Sequence, residues 1–223
     1  MKSYLVRHIV SDSANLLCPA LVTLSCDPIP FSYAGTRTAI VITGGLGSLS
    51  LETSTWLARH GSIDIRLLSR AGRGKITHEL RNCSGVVTID RADTSSLEEC
   101  ANVFADVSTG AINSHRLPAG SLIHAAGILR DAMLVRQKMD SVLDVFGAKS
   151  STIVRLKAQI RPVPLYAIVL FSSVASLMGS AGQTNYAGAN AALDRLAERT
   201  RGQGKPAISI QWGAWGEIGM AAD

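Results

Sequence analysis

Apolar residues along the chain fall into short unbroken runs, separated by stretches in which they recur every three or four positions. Ala39-Ile-Val-Ile-Thr43, Ile65-Arg-Leu-Leu-Ser69, Val86-Val-Thr-Ile89, Ser121-Leu-Ile-His-Ala-Ala-Gly127, Leu165-Tyr-Ala-Ile-Val-Leu-Phe171 and Ala207-Ile-Ser-Ile-Gln-Trp212 have the length and β-branched content of buried strands. Between them the spacing is helical: up to Arg59, from about Ser95 to Val107, from Asp131 to Ile160 with a break near Gly147, and from about Asn185 through Leu193 and Leu196. Strands alternating with helices, without internal repeats, predict an α/β fold with a doubly wound parallel sheet flanked by helices. Met1 to about Thr38 holds apolar pieces broken by Pro19, Pro28 and Pro30, with no sustained period, and reads as a linker into a main domain of residues 39–223.

Composition narrows the class. With 223 residues, 47% hydrophobic and 17% charged, the chain is long enough for one well-buried domain and too apolar for disorder. Cys18, Cys26, Cys83 and Cys100 show no paired-ligand spacing, which argues against a metal site and against a disulfide framework, and suits a reducing, cytoplasmic compartment. The run Leu16 to Cys26 resembles a signal-peptide core, yet Asp12 and Asn15 precede it and no small-residue cleavage site follows. No stretch reaches the roughly 18 apolar residues of a membrane span. A formal charge of +5 and a pI of about 9.2 favour an acidic partner or a phosphate-bearing ligand, with no nucleic-acid motif alongside.

Two stretches carry chemistry. After the first strand come Thr43, Gly44, Gly45, Leu46 and Gly47 and then a helix, and a glycine turn of this kind lets backbone approach a pyrophosphate at a helix amino terminus, in the Rossmann-like manner. The second strand ends at Ser69 and Arg70, where an acid would suit ribose hydroxyls; Arg70, with Arg73 and Lys75 after it, suits a 2′-phosphate and so NADPH. Asp93 is placed either to accept from an adenine amino group or to cap a helix. Ala125, Ala126 and Gly127 are small enough for backbone to pass beneath a ribose, and His124 reads as structural. The other stretch is Phe171 to Asn190. Ser172 and Ser173 close a strand, and Tyr186 and Asn190 share a helix face opposite, which is an arrangement for donating a proton to a carbonyl oxygen. A core Tyr with two loop serines is the plainer alternative.

Thr43-Gly-Gly-Leu-Gly, His124-Ala-Ala-Gly, Phe171-Ser-Ser and Asn185-Tyr-Ala-Gly-Ala-Asn-Ala-Ala-Leu-Asp together resemble the ketoreductase domain of type I polyketide synthases, a branch of the short-chain dehydrogenase/reductase superfamily. The resemblance covers roughly Gly35 to Asp223. It implies that Tyr186 donates the proton, Ser173 orients the carbonyl, Lys149 in Phe146-Gly-Ala-Lys149 lowers the Tyr pKa, and Asn190 completes the network. It also implies NADPH, a 3-oxoacyl substrate tethered to an acyl carrier protein, and neighbouring synthase domains as partners. The segment before Gly35 resembles the tail of that family's structural half-domain. Ser50 stands where the family has glycine, the chain stops soon after Met220 and so lacks the family's C-terminal lid, and the stereochemical element appears as Leu129-Arg130-Asp131. Asp131 with Met178 leans toward a D-configured 3-hydroxy product. The competing readings are a catalytically silent scaffold or docking module, suggested by Ser50, and a free-standing dehydrogenase, disfavoured because Asn190 stands where that class has Lys.

Overall fold

The computed structural model describes residues 38–61, 64–96, 98–99, 101–102, 119–159 and 165–214, and the backbone of two strands at 4–9 and 18–23. The chain divides into two compact units, Met1–Ser32 and Tyr33–Asp223. In the first, β1 (Tyr4–Ile9) and β2 (Cys18–Thr23) pair antiparallel from Tyr4 opposite Thr23 to Ile9 opposite Cys18. The apolar pieces that showed no period therefore make strands, six residues each being too short to display one. Pro19 is tolerated there because both strands of a two-stranded ribbon are edges. The side chains of this linker lie outside the described residues, as do most of the helix expected at 95–107 and all of 215–223.

The second unit holds β3 (Ala39–Thr43), α1 (Ser48–His60), β4 (Asp64–Ser69), α2 (His78–Arg81), β5 (Val87–Arg91) and β6 (Ala119–His124). These are followed by α3 (Met139–Phe146), a π-helical turn at Gly147–Ser151, α4 (Thr152–Gln159), β7 (Ala167–Ser173), α5 (Ala175–Met178), α6 (Thr184–Gly202) and β8 (Ala207–Trp212). Its strands form one six-stranded sheet in the order β5-β4-β3-β6-β7-β8, every pair parallel. Chain order runs outward from β3 through β4 to β5, then restarts at β6 and runs outward the other way. That reversal opens a crevice at the carboxyl ends of β3 and β6.

Both faces of the sheet are covered, which is why its strands read as unbroken apolar runs. On β3, Val41 packs with Leu68, Leu122, Leu170, Leu156 and Leu193 on one side. Ile40 and Ile42 pack with Leu57, Leu67, Ile123 and Phe171 on the other. Each fully buried aliphatic side chain contributes about 1.5–3 kcal/mol. Arg66, buried mid-strand in β4, donates from Nε to Asp90 Oδ2 of β5 at 2.8 Å, so its charge is paired where water is excluded.

Several boundaries shift from the pattern. β6 ends at His124, so Ala125, Ala126 and Gly127 belong to the loop after it. β7 continues to Ser173, which puts both serines inside the strand. Helix begins only at Met139, since residues 125–133 run without regular structure before a 3-10 turn at Leu134–Arg136. The break expected near Gly147 is a change of helical pitch: Gly147 keeps helical angles (φ −56, ψ −50) and the chain passes through the π turn into α4.

Candidate active site

The crevice is a cleft of about 1320 Å³ running from the first glycine turn to the end of β7. At its floor, Gly44 has φ 64, and a Cβ there would lie 2.7 Å from the Cα of Ala126. The glycine turn thus lies directly on the Ala125–Ala126 backbone, and Ala125 N–H donates to the Thr43 carbonyl at 3.2 Å. Gly45 serves packing, since a Cβ there would meet Leu67 Cα at 2.7 Å. Gly44, Leu46, Gly47 and the Ala125–Gly127 loop line the cleft, whereas Thr43 and Gly45 lie beneath it. α1 starts at Gly47 with no side-chain cap and no acid in its first turn, leaving its amides and positive dipole end for an anion.

Ser69, Arg70 and Asp93 line the adjoining part of the cleft, with Arg70 exposed; Arg73 and Lys75 are exposed on the loop beyond. Asp93 Oδ1 accepts from Ser95 N–H at 2.9 Å and from Ser95 Oγ at 2.6 Å, so the turn role is realised at a residue that also faces the cleft. The Ser95 hydroxyl, its backbone N–H and the Arg70 charge hold that carboxyl below its ordinary range, against burial. A glycine cradle that a Cβ would fill, an uncapped helix start and a guanidinium beside the next strand fit a phosphate-rich dinucleotide.

At the other end, three elements converge. β7 delivers Ser172 and Ser173 with opposite orientations, as strand geometry requires. Ser172 Oγ, buried, donates to the Asn190 carbonyl at 3.2 Å. Ser173 Oγ accepts from Ala175 N–H at 3.2 Å, so its own proton remains for the cleft. α6 supplies Tyr186, half-buried, and Asn190, fully buried one turn later, whose Nδ2 donates to the Tyr186 carbonyl at 2.8 Å. The π turn supplies Lys149, only 3% exposed, whose Nζ donates to the Phe171 carbonyl at 3.0 Å and lies 5.2 Å from the Tyr186 ring centroid. α3 reaches this close because Gly188 leaves room for Phe146, whose Cζ would lie 3.3 Å from a Cβ on the glycine. Gly127 does the same for Lys149: a Cβ would meet its Cε at 2.9 Å.

Burial dominates the electrostatics of the site. Burial raises the Tyr186 phenol above its ordinary value, opposed by hydrogen bonding with the Asn190 and Ser173 side chains. The Lys149 ammonium sits over the ring and on the Phe171 carbonyl, and burial is the largest influence on the phenol, so its net shift is upward. Lys149 itself is pushed down to about 8 by burial, with the Asp194 charge working the other way. His124, wholly buried and hydrogen-bonded to Thr43 Oγ1 at 2.6 Å, is pushed down to about 3 by burial first and by the Lys149 charge second, so it is neutral near pH 7 and structural.

Residues that sequence pattern did not single out tie the site together. Asn185 Nδ2 donates to the Arg130 carbonyl at 2.9 Å, and Gln183 Nε2 to Asp131 Oδ2 at 2.9 Å, fastening the start of α6 to the loop after β6. Arg155 of α4 lines the cleft and donates to the Ser95 carbonyl. These are contacts between segments distant in sequence, without a local motif; only Asn185, next to Tyr186, had a positional cue. Among the described residues no group of three His, Cys, Asp or Glu side chains could hold a metal ion, and no helix is long and apolar enough to cross a membrane.

The KR domain family matches residues 38–217. Polyketide synthase GfsA of Streptomyces halstedii is 35% identical over 222 residues, 97% of this chain and 3% of the synthase. The spectinabilin polyketide synthase system protein NorB of Streptomyces orinoci is 37% identical over 190 residues, 82% of this chain and 8% of that protein. Among solved structures, an A1-type ketoreductase superposes with a TM-score of 0.75 at 31% identity, covering 88% of this chain and 42% of the other. The ketoreductase from the first module of phoslactomycin biosynthesis in Streptomyces sp. HK803 gives 0.73 at 32% identity, over 91% and 46%. The chain spans less than a tenth of these two synthases and less than half of these two solved chains.

Proposed function

We propose, given that this chain belongs to the ketoreductase (KR) domain family of type I polyketide synthases, that its cleft carries out NADPH-dependent reduction of a 3-oxoacyl thioester to the 3-hydroxyacyl thioester. The substrate would be held on an acyl carrier protein, with other synthase domains as neighbours. One observation carries the reading: Tyr186, Ser173 and Lys149, from three separate elements, meet at one end of a cleft, with Asn190 buried behind Tyr186, and the other end of the cleft is an uncapped helix start over a glycine cradle. A nicotinamide dinucleotide bound along it supplies a hydride for the carbonyl carbon.

The protein's own residues do the rest. Ser173, which accepts from Ala175 N–H, donates a hydrogen bond to the substrate oxygen and orients it. Tyr186 gives its proton to that oxygen as negative charge develops there, completing the alcohol. The phenolate left behind is stabilised by Lys149 over its ring and by the Asn190 and Ser173 side chains. Arg70, exposed at the cleft, favours the 2′-phosphate and hence NADPH over NADH. Asp131, fixed by Gln183, with Met178 exposed near the start of the next loop, supports a D-configured product.

The test follows NADPH and NADH consumption with an N-acetylcysteamine 3-oxoacyl thioester or trans-1-decalone, with chiral chromatography of the alcohol. Tyr186→Phe is expected to lower turnover by about 10²–10⁴-fold while leaving NADPH binding nearly unchanged. Substantial turnover in that variant, or none in the wild type, rejects the reading; mainly L-alcohol rejects the stereochemical part.

A further inference from the structure

Tyr186, Asn190 and Asp194 recur at intervals of four along α6, so they form one stripe along the helix. The first two belong to the site already described. The third is held by a set of donors from two other elements. Ser176 Oγ of α5 lies 2.7 Å from Asp194 Oδ2, Gln211 Nε2 of β8 lies 2.9 Å from the same oxygen, and Ser209 Oγ of β8 lies 2.6 Å from Oδ1. Gln211 Nε2 also donates to Ser176 Oγ at 3.0 Å. Ser176 Oγ is in turn 2.8 Å from the backbone carbonyl of Ser173. Ser176, having accepted from Gln211, has a single proton for two acceptors, and the carboxylate is the stronger one.

We propose that Asp194 is a positioning residue of the reductase site: it clamps α5 and β8 to α6, fixing the turn that aims Ser173 at Tyr186. The inference rests on the reductase reading for its kinetic half only. The clamp is specific in its chemistry. Three donors meet two carboxylate oxygens, so a neutral amide of the same shape offers one acceptor and sets a donor against Gln211 or a serine. Deletion of charge and retention of shape are therefore separable.

A second readout follows from what surrounds Lys149. Its ammonium faces Tyr186 from α6 and lies close enough to His124 of β6 to disfavour protonation of that imidazole, while Asp194 is the anion that acts on it. Burial takes Lys149 down to about 8, and Asp194 opposes that descent. His124 is neutral near pH 7, so Asp194 is the charge that opposes the effect of burial on the lysine.

Asp194→Asn, made in the full chain, tests the clamp and this second readout together. Titration of Lys149 by ¹³C NMR of its Cε, which needs no turnover, is expected to move to lower pH than in the wild type. The alkaline limb of the pH–rate profile for ketone reduction is expected to move the same way. kcat at pH 7 should fall on the order of tenfold or more, as misaimed catalytic groups do, with the Kd for NADPH unchanged. Ser176→Ala keeps the charge and removes the bridging hydroxyl: kcat falls comparably while Lys149 titrates as in the wild type. Unchanged titration with an unchanged kcat in Asp194→Asn overturns the proposal. If that variant does not fold, Ser176→Ala decides, and wild-type kcat there overturns it. A wild-type chain that reduces no ketone rejects the reductase reading alone, and the NMR titration still decides whether Asp194 acts on the site.

Discussion

At the scale of single residues, the site depends on where charge sits when the carbonyl is reduced. Tyr186 is buried enough that its phenol is a weaker acid than in water, so its proton leaves only as the substrate oxygen becomes basic and the phenolate finds support. Lys149 gives that support only while charged, and burial has brought it to about 8. The ammonium is present below that value and lost above it. Reduction by the wild type is therefore expected to decline as pH rises through about 8, and Lys149→Met to be slow at every pH with that limb missing. A pH–rate profile of the two proteins checks this; a wild-type profile flat to pH 9.5 would show that Lys149 does not act through its charge. The four residues were legible in the sequence because each lies in a short motif. Their electrostatics were not, since the direction of the phenol's shift is set first by burial, which depends on how separate elements pack around it.

Elements bring these residues together, and here local pitch matters. Lys149 sits in a π turn, which widens the helix between α3 and α4 and rotates the residues on either side relative to an unbroken α-helix. Sequence pattern registers this only as a break near Gly147. α1 poses a related question, because Ser50, 2% exposed in its first turn, occupies a position that is glycine in the family and lines the cleft. One turn further along, Ser54 Oγ donates to the Ser50 backbone carbonyl at 2.7 Å. Such extra atoms in a packed contact typically cost about 1–3 kcal/mol through displaced neighbours. Ser50→Gly is accordingly expected to tighten NADPH binding several-fold, despite the added backbone entropy of glycine. Calorimetric titration of both proteins decides, and weaker binding in the glycine variant would make the Ser50 hydroxyl a cofactor-site group.

For the molecule as a whole, the excess of basic residues and the proposed carrier-bound substrate make one joint prediction. If a basic surface guides an acidic carrier, the KM for a carrier-tethered 3-oxoacyl chain should rise several-fold between about 0.05 and 0.3 M salt, as the Debye length falls below 10 Å. The KM for the N-acetylcysteamine thioester should stay nearly level over the same range. A parallel rise for both would place the salt effect in the cleft and not on the surface. The sequence by itself determined the parallel sheet, because strands covered on both faces must be apolar throughout and the intervening helices must show their period. It also marked the glycine turn, Ser173, Tyr186 and Asn190 as candidates, because each is set by spacing within one element or one turn, and Lys149 through the resemblance of Phe146-Gly-Ala-Lys149 to the family's motif. Only the tertiary structure decided that β6 stops at His124, that Gly127 and Gly188 are small to admit Lys149 and Phe146, that the phenol is raised, and that Asp194 gathers donors from α5 and β8. Those depend on which distant segments come within a few ångströms of one another, and a linear pattern carries no information about distances across the fold.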